Sequence, residues 1–165
     1  MSSATDPILQ LARNLFGFPS LRPGQREAVE SVLQHRDTLV VMSTGAGKTA
    51  IFELAGKLLD GPTVVISPLL ALQRDQLAAM EARGHLVAVA LNSTETTRER
   101  RQILDQLTDR AGTRLDFVFL GPEQLANRDV IQRLTELRPA LVAVDEAHLV
   151  SRWGPDFRPD YLRIA

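Results

Sequence analysis

Five apolar runs of strand length recur along the chain: TLVVM (38–42), TVVIS (63–67), LVAVAL (86–91), LDFVFL (115–120) and ALVAVD (140–145). Each is rich in Val, Leu, Ile or Phe and lacks the alternation of a half-exposed strand, so each reads as a strand buried on both faces. Between the runs the spacing turns helical. Residues 69–83, LLALQRDQLAAMEAR, set Leu69, Leu72, Gln73, Gln76, Leu77 and Met80 near one stripe, with Gly84 as the stop. Residues 95–110 carry Ile103, Leu104 and Leu107 on one side, and residues 128–138 repeat the pattern with Val130, Ile131, Leu134 and Leu137. Two further helices precede the first run. One covers about 6–15, with Thr5 as N-cap and Pro7 in the first turn; the other covers about 23–35 and opens at Pro23.

Strand, helix and strand at intervals of about 25 residues predict βαβ units around a parallel sheet, an α/β fold. In such sheets ligands bind beyond the carboxyl ends of the strands, so chemistry is to be sought there.

Composition narrows the class without naming it. The 165 residues are 44% hydrophobic and 24% charged, enough for a core and too apolar for a disordered chain. There is no cysteine, which excludes disulfides and thiolate-bound zinc within this stretch, and His35, His85 and His148 form no metal-binding pattern. No segment approaches the roughly 18 apolar residues that a membrane span requires. The start, MSSATDPILQ, lacks the positive-then-apolar order of a signal peptide, so the expected setting is cytoplasmic, in association with the bacterial nucleoid. A net charge of -1 neither supports nor excludes nucleic-acid binding. Of the 19 basic residues only Lys48 and Lys57 are lysines.

Lys48 stands in the first chemical motif, STGAGKTAIF (43–52), which follows the first run. A glycine-rich turn between strand and helix exposes backbone N–H groups that can surround a phosphate. Lys48 can reach the terminal phosphates and the Thr49 hydroxyl can ligate Mg²⁺. The strict G-x-x-x-x-G-K-[ST] pattern is not fully met, since Met42 occupies the place of the first Gly. The plain alternative is a turn with a solvated lysine. A compact ammonium in an arginine-rich chain argues for the phosphate.

The second motif, DEAH (145–148), ends the fifth run. Asp145 can hold Mg²⁺ through its water shell and Glu146 can polarise a water that attacks a γ-phosphate. Alternatively, two acids simply mark a strand exit. Motifs so far apart in sequence become neighbours if the sheet inserts the fifth strand beside the first, and that insertion is expected.

Taken together, FGFPSLRPGQREAVESVL (16–33), VVMSTGAGKT (40–49), VVISPLLALQRDQ (64–76), LNST (91–94), GPEQL (121–125) and AVDEAHLVSRWGPDFRPDY (143–161) resemble the RecQ branch of superfamily 2 DNA helicases. In that branch Met42 is an ordinary substitute for the first Gly. The resemblance implies a RecA-like P-loop NTPase domain, with adenine-recognising helices over 1–36 and the ATP-binding lobe over 37–165. It implies ATP and Mg²⁺ as cofactors, single-stranded and partly duplex DNA as partner, no membrane, and 3′-to-5′ unwinding in repair or recombination. A second RecA-like lobe is expected, and these residues do not include it. The lobe itself lacks its final strands, so alone it should bind and turn over nucleotide poorly.

Residue roles follow from the same resemblance. Phe18 would stack on the base, Gln25 read the adenine edge and Arg22 hold the nucleotide. Thr44, Gly45, Ala46, Gly47, Lys48 and Thr49 would bind phosphates, with Thr49 and Asp145 at the metal. Lys48, Asp145, Glu146 and His148 would be catalytic, His148 linking ATP to the DNA-facing loop. Ser67, Asn92 and Ser93 would touch the DNA backbone, and Trp153, Phe157 and Arg158 would form an aromatic DNA-sensing loop. Three residues depart from the branch: Pro155 replaces a usual His, Leu149 a usual Cys and Glu53 a usual Gln. Two rival classes remain at this point, a catalytically silent nucleotide- or DNA-binding module and a P-loop small-molecule kinase.

Overall fold

The computed structural model describes residues 6–43, 45–84, 86–108 and 114–148, which fall into two units divided between Asp60 and Gly61. The N-terminal unit is helical: α1 (Pro7–Phe16), α2 (Gln25–Leu33) and α3 (Lys48–Leu58). Helix α1 is capped by Asp6, whose carboxylate accepts from Ile8 N at 3.2 Å and Leu9 N at 3.3 Å, with Pro7 at the start. The expected cap, Thr5, lies outside the described residues, and the carboxylate one position later takes the role. Gly17 ends the helix with φ +68°, its N–H donating to Arg13 O at 2.9 Å. Ile8, Ala12 and Leu15 of α1, Ala28 and Val29 of α2, and Ala50, Ile51, Leu54 and Ala55 of α3 form the buried side of this unit. Helix α3 packs on both of the others.

The second unit holds a four-stranded parallel sheet made of β1 (Thr63–Ile66), β2 (Ala88–Leu91), β3 (Phe117–Leu120) and β4 (Leu141–Val144). The strand order is β2-β3-β1-β4. Helices α4 (Leu70–Arg83), α5 (Thr97–Thr108) and α6 (Arg128–Leu137) alternate with the strands, and a short 3₁₀ helix spans Pro122–Ala126. This is the expected α/β architecture. Val64, Ile66, Val118 and Leu120 on one sheet face form one core with Leu104 and Leu107 of α5 and Val130 of α6. Phe117, Phe119 and Val65 alternate with them, point to the opposite face and are also fully buried.

Several expectations are corrected. Only the central strands β1 and β3 are buried throughout; β2 and β4 are edges, and Val142 is 51% exposed. The run 38–42 forms no strand, and Leu39 and Val41 are 85% and 87% exposed. An apolar β-branched run asks for a ladder partner, and among the described residues none pairs with it. Within the sheet unit the DEAH-bearing strand β4 pairs with β1, the second run. Leu69 is 45% exposed because α4 begins one residue later, and Ile131 is 41% exposed on the outer side of α6.

Polar contacts tie the outer helices down. Asn127 caps α6 by accepting from Asp129 N at 3.0 Å and Val130 N at 3.4 Å. Arg133 of α6 donates to Leu104 O of α5 at 2.9 Å, one residue before the last turn, and so places a cation near the C-terminal end of that helix.

Candidate functional site

The phosphate-binding candidate is built within the N-terminal unit. Ala46 N donates to Ser43 O at 3.1 Å, closing a turn, and Gly45 and Gly47 take φ values of +77° and +90°. Both angles favour glycine, and they turn the chain directly into α3, which begins at Lys48. The Lys48 ammonium donates to the carbonyls of Met42 at 3.0 Å and Ser43 at 3.4 Å, so its charge is held against the loop. Thr49 sits beside it in the first helical turn. Thr44 lies outside the described residues.

Two residues assigned to adenine recognition grip this loop. Arg22 Nη1 donates to Gly45 O at 2.6 Å, and Gln25 Nε2 donates to Gly47 O at 3.0 Å. Gln25 Oε1 in turn accepts from Arg22 N at 2.8 Å, much as the Gln of a capping box reaches back to the start of its helix. Gln25 is 1% exposed, so its amide is fixed in place. Phe18 is half-buried and stacks on Phe16, with centroids 4.9 Å apart and planes 17° apart. Glu53, noted for its departure from the RecQ pattern, is buried one turn beyond Thr49.

In the sheet unit the carboxyl ends of the strands carry the other candidates. Asp145 N donates to Ile66 O at 2.8 Å, extending the β1–β4 pairing by one bond. Asp145 Oδ1 accepts from Glu146 N at 2.9 Å, and Glu146 adopts φ +52°, a left-handed conformation uncommon for a glutamate and frequent where function holds strain. Glu146 Oε2 lies 3.1 Å from His148 Nδ1, so the last acid of the motif is oriented by its histidine. Ser67, at the exit of β1, is fully buried. Asn92, at the exit of β2, accepts from Thr94 N at 2.9 Å and Thr94 Oγ1 at 2.7 Å, while Ser93 is exposed. Trp153, Phe157 and Arg158 lie outside the described residues. Among the described residues no group of three His, Asp or Glu side chains forms a metal cluster.

Two features escaped the sequence. The amide grip of Gln25 on Gly47 has no local signature, because its partner is a carbonyl 22 residues away. Gln73 was visible only as a polar interruption of an apolar stripe; it is fully buried and donates to Ser67 O at 2.7 Å.

Comparison with known proteins decides the family. The family model of the DEAD/DEAH box helicases matches residues 22–165. The chain belongs to that family. Among curated relatives of this chain, the probable ATP-dependent DNA helicase RecS of Bacillus subtilis is 39% identical over 95% of the chain. The ATP-dependent DNA helicase RecQ of Haemophilus influenzae is 35% identical over 94%, and the ATP-dependent helicase SGS1 of Saccharomyces cerevisiae 36% over 97%. These matches bear out the RecQ resemblance. The chain spans 31%, 25% and 11% of those three proteins. The crystal structure of the DUF1998 helicase MrfA superposes with a TM-score of 0.64 at 19% identity, covering 90% of this chain and 24% of that one, which supports the fold. Among the described residues no helix is long and apolar enough to cross a membrane.

Proposed function

We propose that this chain is the ATP-binding lobe of a RecQ-like DNA helicase, with 1–36 as its adenine-recognition segment and 37–165 as its RecA-like lobe. In the whole protein it would couple ATP hydrolysis to 3′-to-5′ unwinding of single-stranded and partly duplex DNA during repair or recombination. The observation that carries the reading is the double grip on the glycine loop, Arg22 on Gly45 O and Gln25 on Gly47 O. It makes the base-reading residues and the phosphate-binding turn one piece, as a site that must recognise both ends of a nucleotide requires.

The chemistry follows from the groups present. The backbone N–H groups of Gly45 to Thr49 and the Lys48 ammonium would hold the phosphates. The hard oxygen donors of Thr49 and, through water, Asp145 suit Mg²⁺, which would neutralise phosphate charge when bound. Glu146, oriented by His148, would hold the attacking water and take its proton. The strand-exit turns at Ser67 and Asn92, whose own side chains are buried, would meet the DNA backbone through their main chain and the exposed Ser93, and Trp153, Phe157 and Arg158 would stack on bases and contact phosphate. A second RecA-like lobe would complete the catalytic site, and the protein would work in the cytoplasm at the nucleoid.

Binding of a fluorescent ATP analogue tests the reading. Lys48→Ala removes a charge-assisted contact and should weaken affinity by about 10- to 100-fold. Equal affinity in mutant and wild type would refute it.

A further inference from the structure

The exit of β1 is held from three directions. Ser67 N donates to Leu120 O of β3 at 3.0 Å, and the neighbouring Ile66 O accepts from Asp145 N beyond β4 at 2.8 Å. The third restraint comes from α4, where Gln73 Nε2 donates to Ser67 O at 2.7 Å. Pro68 follows and brings no N–H of its own, so within Ser67–Pro68 only carbonyls remain to be gripped from α4, while Leu69 O accepts from Gln73 N at 3.0 Å. Helix α4 starts at Leu70 with Leu69 extended and no side chain capping its first turn.

The clamp is costly in the way positioning devices are. Ser67 and Gln73 are each fully buried, and Ser67 Oγ and Gln73 Oε1 have no hydrogen-bond partner among the described residues. A buried amide using only half its capacity destabilises relative to a well-packed apolar side chain of the same volume. Packing alone would favour Met or Leu at position 73, on a helix whose other fully buried side chain is Met80. The amide's contribution is therefore to aim the Ser67 peptide.

We propose that Gln73 is a positioning residue that holds the Ser67–Leu70 turn in the shape that receives a single-stranded DNA backbone. The proposal rests on the DNA-binding reading above. Because Ile66 and Asp145 share a backbone bond, the same clamp sets the turn relative to the acidic pair along one strand.

The test compares the wild-type chain with Gln73→Met, using fluorescence anisotropy of a labelled oligothymidylate. Melting temperature and affinity for a fluorescent ATP analogue are measured in parallel. Gln73→Met should weaken oligothymidylate binding about five- to tenfold, the effect of roughly one lost positioning hydrogen bond. Melting temperature should hold at or above the wild-type value, since the apolar side chain removes an unsatisfied buried amide oxygen, and analogue affinity should stay unchanged. Unchanged oligothymidylate affinity in Gln73→Met overturns the proposal and leaves the helicase reading standing. Failure of the wild-type chain to bind oligothymidylate overturns the DNA reading and the proposal together. If Gln73→Met fails to fold, Gln73→Glu, which keeps the length but removes the donor, takes its place. Unfolding of both variants would make Gln73 a purely structural clamp and also overturn the proposal.

Discussion

Replacing Gly47 by alanine tests how firmly the adenine-reading residue is fastened to the glycine loop. The backbone there has φ +90°, so any Cβ is strained, and the left-handed region costs an alanine about 1–2 kcal/mol. The new methyl would also stand 2.6 Å from Gln25 Nε2, against 3.4–4 Å for an ordinary contact. Gln25 is buried and held at both ends of its amide, so retreat breaks its bond to Gly47 O or to Arg22 N. Losing one or two such buried bonds adds roughly 1–3 kcal/mol. Gly45 is the internal control: its φ is +77°, and a Cβ there meets nothing within 4 Å, so Gly45→Ala carries the backbone strain alone. Urea unfolding followed by circular dichroism should place Gly47→Ala below Gly45→Ala by roughly 1–3 kcal/mol. In a Gln25→Ala background the obstacle is gone, and Gly47→Ala should then resemble Gly45→Ala. Equal costs for the two glycine variants would refute the reasoning. So would a cycle that closes additively to within about 0.5 kcal/mol.

Asn127→Ala removes both side-chain bonds at the start of α6 and should cost about 1 kcal/mol in the same assay, whereas Asn127→Gly should cost only a few tenths. Asp6 has its carboxyl held below the usual range, chiefly by its hydrogen bond with Arg26 and further by the amides it caps. A depressed folded-state pKa adds stability that is full above the unfolded value and is lost as pH falls through the folded one. Acid titration of stability should therefore show a component below about pH 4 that Asp6→Asn abolishes, read as a flatter melting-temperature profile.

The sheet was legible where sequence reports burial directly. The runs TVVI and FVFL became the two central strands because Val, Ile and Phe on both faces can be accommodated only between neighbours on both sides. The run 38–42 has the same composition and forms no strand, since apolarity records a demand for partners and not their presence. Gly84 and Pro7 announced helix boundaries because each has a backbone preference independent of context. Phosphate-loop and acidic motifs were legible as local strings. The bonds that join distant strings were not: Gln25 and Gln73 both act on backbone carbonyls, which every residue offers, so no pattern of side chains betrays the target. Arg133 reaching Leu104 O escaped for the same reason.

The strand order β2-β3-β1-β4 bears on how the protein is made. Strand β1 pairs with β4 by joining Thr63 to Leu141, and everything between those residues must be synthesised before that bond can form. Strands β2 and β3, by contrast, can assemble with β1 while the ribosome is still extending the chain. Of the four described strands, β4, which leads into Asp145 and Glu146, is the last to be synthesised. A nascent chain acquires its acidic pair only after the scaffold beneath it has closed, and until then the β1 edge awaiting β4 is unpaired. That interval is when pairing with the wrong strand is most damaging, and substitutions slowing β4 docking should show first as lost yield.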